Sequence, residues 1–158
     1  MHKQTHLNLA YTHNTRKKVN RECMERYLLN NNIQNYITIE KDNFNPKTQL
    51  VKLAAGMPVI ISHLTDKKLN ILNSETFKIK SVTNEIIKVT EHERNIEIKT
   101  KDFHKYFYLG FCITIHASQG ETFDEPNTIY DWKYEHFCDK AKYVALYRGT
   151  NIKNIQIK

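Results

Sequence analysis

The sequence is poor in the residues that would build a disulfide scaffold, a phosphate-binding loop or a membrane span. Its three cysteines, Cys23, Cys112 and Cys138, are an odd number with no C-x-x-C pair, so neither a disulfide framework nor a zinc site is indicated. There are four glycines, Gly56, Gly110, Gly120 and Gly149, and none is followed by Lys-Ser or Lys-Thr, so no G-x-x-x-x-G-K-[ST] loop is present to cradle phosphates. No acidic pair stands where it would hold magnesium: Asp124-Glu125 precedes Pro126 in a loop-like stretch. The longest apolar runs, Leu53–Ile61 and Tyr106–Ile115, fall short of the ~20 residues that span a bilayer. Met1-His2-Lys3-Gln4 is followed by no apolar stretch of signal-peptide type. The expectation is an intracellular chain, in nucleus, cytoplasm or a viral replication site, without a membrane partner.

What the sequence does have is positive charge. Its 158 residues carry 24 Lys and Arg against 17 Asp and Glu, a net charge of +7. The excess is uneven: residues 1–52 hold nine basic against four acidic side chains, residues 53–110 nine against seven, and the rest six against six. A basic first third favours a polyanionic partner such as nucleic acid. A lysine-rich surface that is merely solvated has the same charge, so residue patterns must decide.

Leu7–Thr12 reads as a buried strand, after which Asn14 is expected to cap a helix over Thr15–Leu29, with Val19, Cys23, Tyr27 and Leu28 at helical spacing. Tyr36–Ile39 suits a short strand, and Glu40–Gln49 a polar linker. From Leu50 to about Tyr106 the pattern turns to short runs rich in Val, Ile and Thr, namely Val59–Ser62, Phe77–Val82, Ile86–Thr90 and Ile96–Lys99. Pro58 belongs at the start or edge of its strand. Strands over Phe111–Thr114 and Thr128–Tyr130, a helix over Asp139–Arg148 and a strand over Ile152–Ile157 complete the chain. The fold class is therefore α/β, with a parallel-sheet domain (1–49 and 107–158) interrupted by a small all-β unit (50–106).

Three segments carry candidate chemistry. Thr114-Ile115-His116-Ala117-Ser118-Gln119-Gly120-Glu121-Thr122 directly follows a strand, where Thr, His and Ser can donate hydrogen bonds to a phosphate backbone. It resembles motif V of superfamily-one DNA helicases of the RecD/PIF group, T-x-H-x-S-Q-G-x-T. Lys142-Tyr143-Val144-Ala145-Leu146-Tyr147-Arg148 is similar to motif VI of that family, Y-V-A-L-S-R, with Tyr147 in place of Ser. A guanidinium is permanently charged and grips phosphate oxygens in a planar fork, although an Arg near a helix end before Gly149 is also ordinary capping. Ala10–Asn20, with Thr12, Asn14 and Arg16, resembles motif IV more loosely, and it is also what a basic solvated helix looks like. The phrases Leu53–Ile61 and Leu69–Glu75 resemble those that open the SH3-like insertion of these helicases, with Ser74 where Gly is usual.

The resemblance runs from about Leu7 to Ile157, in the family's own order of motif IV, insertion, V and VI. It implies a second RecA-like domain with an SH3-like insertion. Arg148 and Arg16 would be catalytic arginines, and Gln119, Gly120 and Glu121 would face nucleotide. Thr12, Asn14, Thr114, His116 and Ser118 would contact single-stranded DNA, with RNA as the alternative strand. The cofactors implied are ATP and magnesium, shared with a first RecA-like domain supplied in cis or in trans. The competing reading is a nucleic-acid-binding module that keeps the fold and has lost catalysis. A protein-binding scaffold is the third.

Overall fold

The computed structural model describes residues 7–62, 68–69, 75–119 and 123–158. In chain order the first elements are β1 (Leu7–Ala10), α1 (His13–Asn30), β2 (Ile37–Ile39), β3 (Val51–Leu53), β4 (Pro58–Ile61), β5 (Thr76–Val82), β6 (Ile86–Glu91) and β7 (Arg94–Lys99). There follow α2 (Phe103–Tyr106), β8 (Phe107–Leu109), β9 (Cys112–Thr114), β10 (Asn127–Ile129), α3 (Asp139–Leu146) and β11 (Ile155–Ile157). The chain forms two compact units, one from residues up to Val19 together with Phe111–Lys158, the other from Asn20–Gly110.

The first unit is built on a four-stranded parallel sheet in the order β11-β10-β1-β9. Leu9 pairs with Ile113 on one side and Ile129 on the other, and all three are buried. Burial on both faces is why these strands read as short continuous runs rather than as alternating ones. Parallel strands bring all their carboxyl ends to one edge, so the segments after Ala10, Thr114 and Ile129 emerge together. That edge positions the candidate site. Gly149 lies toward the other edge, where a Cβ would press on the Ile155 side chain and the Asn127 amide.

The second unit carries a five-stranded antiparallel sheet, β7-β6-β5-β4-β8, and a β2–β3 pair. In β5, β6 and β7 every second residue is buried: Phe77 and Ile79, Ile87 and Val89, Ile96 and Ile98. A half-buried sheet demands this period-two pattern. Pro58 opens β4, the one place in an internal strand where its missing N–H costs no ladder bond. Within the same unit α1 lies against β3, where Lys52 N donates to Met24 Sδ at 3.1 Å and the Lys52 ammonium meets Glu25 at 2.9 Å. Gly56 has φ +88, and the Tyr27 hydroxyl, which donates to Ala55 O at 3.0 Å, occupies the space a Cβ would need. Only glycine suits that turn.

Several expected boundaries shift. The helix begins at His13, because Thr12 rather than Asn14 caps it: Thr12 Oγ1 accepts from Thr15 N at 3.2 Å. Helix α3 stops at Leu146, leaving Arg148 in the turn that follows. The last strand starts at Ile155, since the Asn151 side chain accepts from Lys153 N and holds Ile152–Asn154 in a 3-10 turn. The strands β3 and β8 and the short α2 lie where the sequence suggested no separate element.

Candidate nucleic-acid interface

The turn after β9 is held by its own hydroxyls. Thr114 Oγ1 accepts from Ala117 N at 3.2 Å, and Ser118 Oγ donates to Ile115 O at 2.6 Å. Both residues are buried, so their side chains shape the backbone instead of reaching outward. The product of that turn is an exposed His116 and an exposed Gln119 at the carboxyl edge of the sheet. His116 is the one side chain of the expected Thr114, His116 and Ser118 set that this geometry presents to a ligand. Gly120 and Glu121 lie outside the described residues.

The start of α1 is occupied from within the fold. Asp131, two residues beyond the end of β10, has φ 64 and turns its carboxylate onto the helix N-terminus. Its Oδ2 accepts from Tyr11 N at 3.1 Å, Thr12 N at 3.0 Å and Thr12 Oγ1 at 3.2 Å, and its Oδ1 accepts from Thr15 Oγ1 at 2.6 Å. A helix N-terminus attracts anions through its free N–H groups and its dipole. Here an internal carboxylate satisfies the attraction. Thr12 is thus committed to holding the edge together, while Asn14 is exposed.

The two arginines stand in different surroundings. Arg16, one turn into α1, is only 2% exposed, and its Nε donates to His13 Nδ1 at 3.1 Å. Arg148 is partly exposed, with Nε donating to Val144 O at 3.3 Å. Its backbone is fixed by Phe123, whose N donates to Arg148 O at 2.6 Å, and by the parallel bridge from Phe123 to Gly149. Beside it Tyr143 and Tyr147 are 59% and 60% exposed and share a hydroxyl hydrogen bond of 2.7 Å. That bond raises the Tyr143 pKa above the ordinary phenol value.

Two features of this edge were missed in the sequence. One is Asp131, whose signal was an acidic residue immediately after a buried strand, Thr128-Ile129-Tyr130. The other is an aromatic cluster. Tyr11 stacks on buried Phe137 with ring centroids 4.7 Å apart and an interplanar angle of 13°. Tyr134 and His116 flank Tyr11 at 5.9 and 6.4 Å, tilted by 46° and 42°. Lys142 lies 5.2 Å from the Trp132 ring. Among the described residues no group of His, Cys, Asp and Glu is placed to hold a metal ion. No described helix is long and apolar enough to cross a membrane.

No protein-family model matches the chain, and no curated protein sequence does. Solved structures do. One describes DNA unwinding at forked duplex DNA by two coordinating Pif1 helicases: 22% identity, TM-score 0.72, covering 97% of this chain and 38% of that one. A second is Pif1 helicase from Bacteroides in complex with ADP-AlF3 and single-stranded DNA: 22% identity, TM-score 0.69, 96% of this chain and 40% of that one. A third is Pif1 helicase from Candida albicans: 15% identity, TM-score 0.63, 99% and 45%. At these identities the likeness is one of fold. The chain is a mixed α/β fold with a RecA-like parallel sheet, the fold of part of a Pif1 helicase, and it spans about two fifths of the length of the Pif1 chains it matches.

Proposed function

We propose that the chain is the second RecA-like part of an ATP-dependent DNA helicase, with 50–106 as an SH3-like insertion. Its role would be to hold single-stranded DNA and to offer an arginine to a nucleotide bound mainly by a first RecA-like domain. The observation that carries the reading is the coincidence of a Pif1-like fold over nearly the whole chain with the order of its three motif-like segments. The residues present fit only one end of a nucleotide: Arg148 can meet phosphate oxygens, whereas a phosphate loop and magnesium-binding carboxylates have to come from the other domain. Hydrolysis of ATP bound there would supply the driving free energy, with magnesium neutralising charge on the phosphates. His116 and Gln119 are exposed at the carboxyl edge and suit contacts to the strand or to nucleotide. Arg16 is buried, with its Nε committed to His13, whereas Arg148 is partly exposed, so Arg148 is taken as the catalytic guanidinium.

ATP turnover tests this reading. The chain alone is expected to release no phosphate above background. Joined to a RecA-like domain that carries the phosphate loop, it should show DNA-stimulated hydrolysis, and Arg148→Ala should lower that turnover by roughly 10³-fold or more. Arg148→Lys should be severely impaired too, because a point charge does not reproduce the planar fork. Near-normal turnover in Arg148→Ala, at unchanged thermal midpoint, would end the arginine assignment. Robust hydrolysis by the chain alone would overturn the division of labour.

A further inference from the structure

We infer that the aromatic cluster at the carboxyl edge of the parallel sheet is a nucleobase-stacking platform, formed by Tyr11, Tyr134 and His116 on a Phe137 base. The inference rests on the single-strand reading above and adds what this edge recognises: the face of a base as well as the phosphate chain.

The cluster is built in two layers with different burial. Phe137 is buried and carries the packing, while Tyr11 lies flat on it and is partly exposed. Tyr134 stands 43% exposed and His116 is exposed, each within 6.4 Å of the Tyr11 ring and tilted to it rather than closing over it. Apolar packing alone does not require three polar-tipped rings at a rim whose buried member already fills the space beneath. Offset-stacked and tilted rings at 4.5–7 Å are the favourable arrangement within an aromatic cluster, and a base brings a π-face of the same kind to its exposed members.

The segment 130–142 is neutral, Lys133, Lys140 and Lys142 against Asp131, Glu135 and Asp139, so the rings rather than net charge mark this site. Lys142 covers the Trp132 and Phe137 rings at 5.2 and 5.7 Å, and Lys133 is exposed two residues from Asp131. The Asp131 carboxylate that would repel phosphate is turned onto the α1 N-terminus and satisfied there. The other acids before Lys142, Glu135 and Asp139, are both exposed, and Glu135 lies 3.3 Å from His136. Stacking on such rings tolerates any base, because every base has a π-face. The platform therefore grips without reading sequence.

A pair of oligonucleotides of equal length and charge separates the two ideas. One is oligodeoxythymidylate, the other its abasic tetrahydrofuran analogue. The full chain is expected to bind the thymidylate about 5- to 100-fold more tightly, the range that base–aromatic stacking covers. Trp132, the sole tryptophan, should change its fluorescence with thymidylate and much less with the abasic strand. Tyr134→Ala, with an unchanged thermal midpoint as the check on folding, should remove most of the preference, and Tyr134→Phe should keep it. Equal affinity for both strands, with Tyr134→Ala indistinguishable from the native chain, would overturn the stacking platform and leave phosphate binding standing. Failure to bind either strand at low salt would remove the single-strand reading and the platform with it.

Discussion

At the residue scale, Asp131 stands in the left-handed region just after β10, with φ 64. Its carboxylate takes two backbone N–H groups and two hydroxyls at the start of α1, joining the segment after β10 to the segment after β1. Removing it leaves those donors short of a partner, so Asp131→Ala should cost about 1–3 kcal/mol in urea unfolding. Asp131→Asn tolerates the same left-handed backbone and keeps one acceptor oxygen, and it should lose less. Loss in Asp131→Ala no larger than that of an ordinary surface substitution would contradict this role. The site was half legible for a physical reason. His116 and Arg148 sit in contiguous strings of residues, whereas Asp131 and Phe137 reach their partners from more than a hundred positions away, through the parallel sheet. Arg16 shows the converse, since nothing local in the sequence announced its burial.

In the second unit His104 is a residue-scale probe of packing. Burial lowers its pKa from the usual 6.5, against a raising influence from the Glu40 carbonyl, which lies 2.7 Å from Nε2. The folded state thus binds fewer protons than the unfolded one just below pH 6.5, and stability falls as pH drops through that window. Above about pH 7 the contribution is fully present. The thermal midpoint should decline from pH 7.5 to 5.5, and His104→Gln should flatten part of that slope. An unchanged slope in the variant would show that other groups cause the decline.

At the scale of elements, the sequence was most informative where one face is wet. The alternation in β5, β6 and β7 follows directly from burial of one face, and all three strands lie close to where the pattern put them. β3 and β8 were harder, because three residues are too few to display a period. The hairpin between β6 and β7 has a further cost. Glu91 pairs with Arg94, leaving His92 and Glu93 as the loop, and His92 carries φ 51. A histidine in the left-handed region is strained by roughly 1–2 kcal/mol relative to glycine, although glycine also loses more freedom on folding. His92→Gly should therefore raise the urea midpoint, by up to about 1 kcal/mol of stability. A fall in stability would show that the His92 side chain contributes contacts that outweigh the backbone strain.

At the scale of the whole molecule, the chain has the fold of part of a Pif1 helicase, about two fifths of the length of those it matches, and a net charge of +7. The basic excess in residues 1–52 and the exposed His116 in the turn after β9 both predict contacts to the phosphates of a nucleic-acid strand. Contacts of that kind release counterions, so the logarithm of affinity falls linearly with the logarithm of salt concentration. The central claim, that this chain holds single-stranded DNA through its backbone, is tested most directly by titrating a labelled single-stranded oligonucleotide at several salt concentrations. The expected result is weak, sequence-tolerant binding with a slope of about −0.7 per phosphate contact, or about −2 for three contacts. Affinity that is flat across salt, or no binding even at low salt, would contradict the claim.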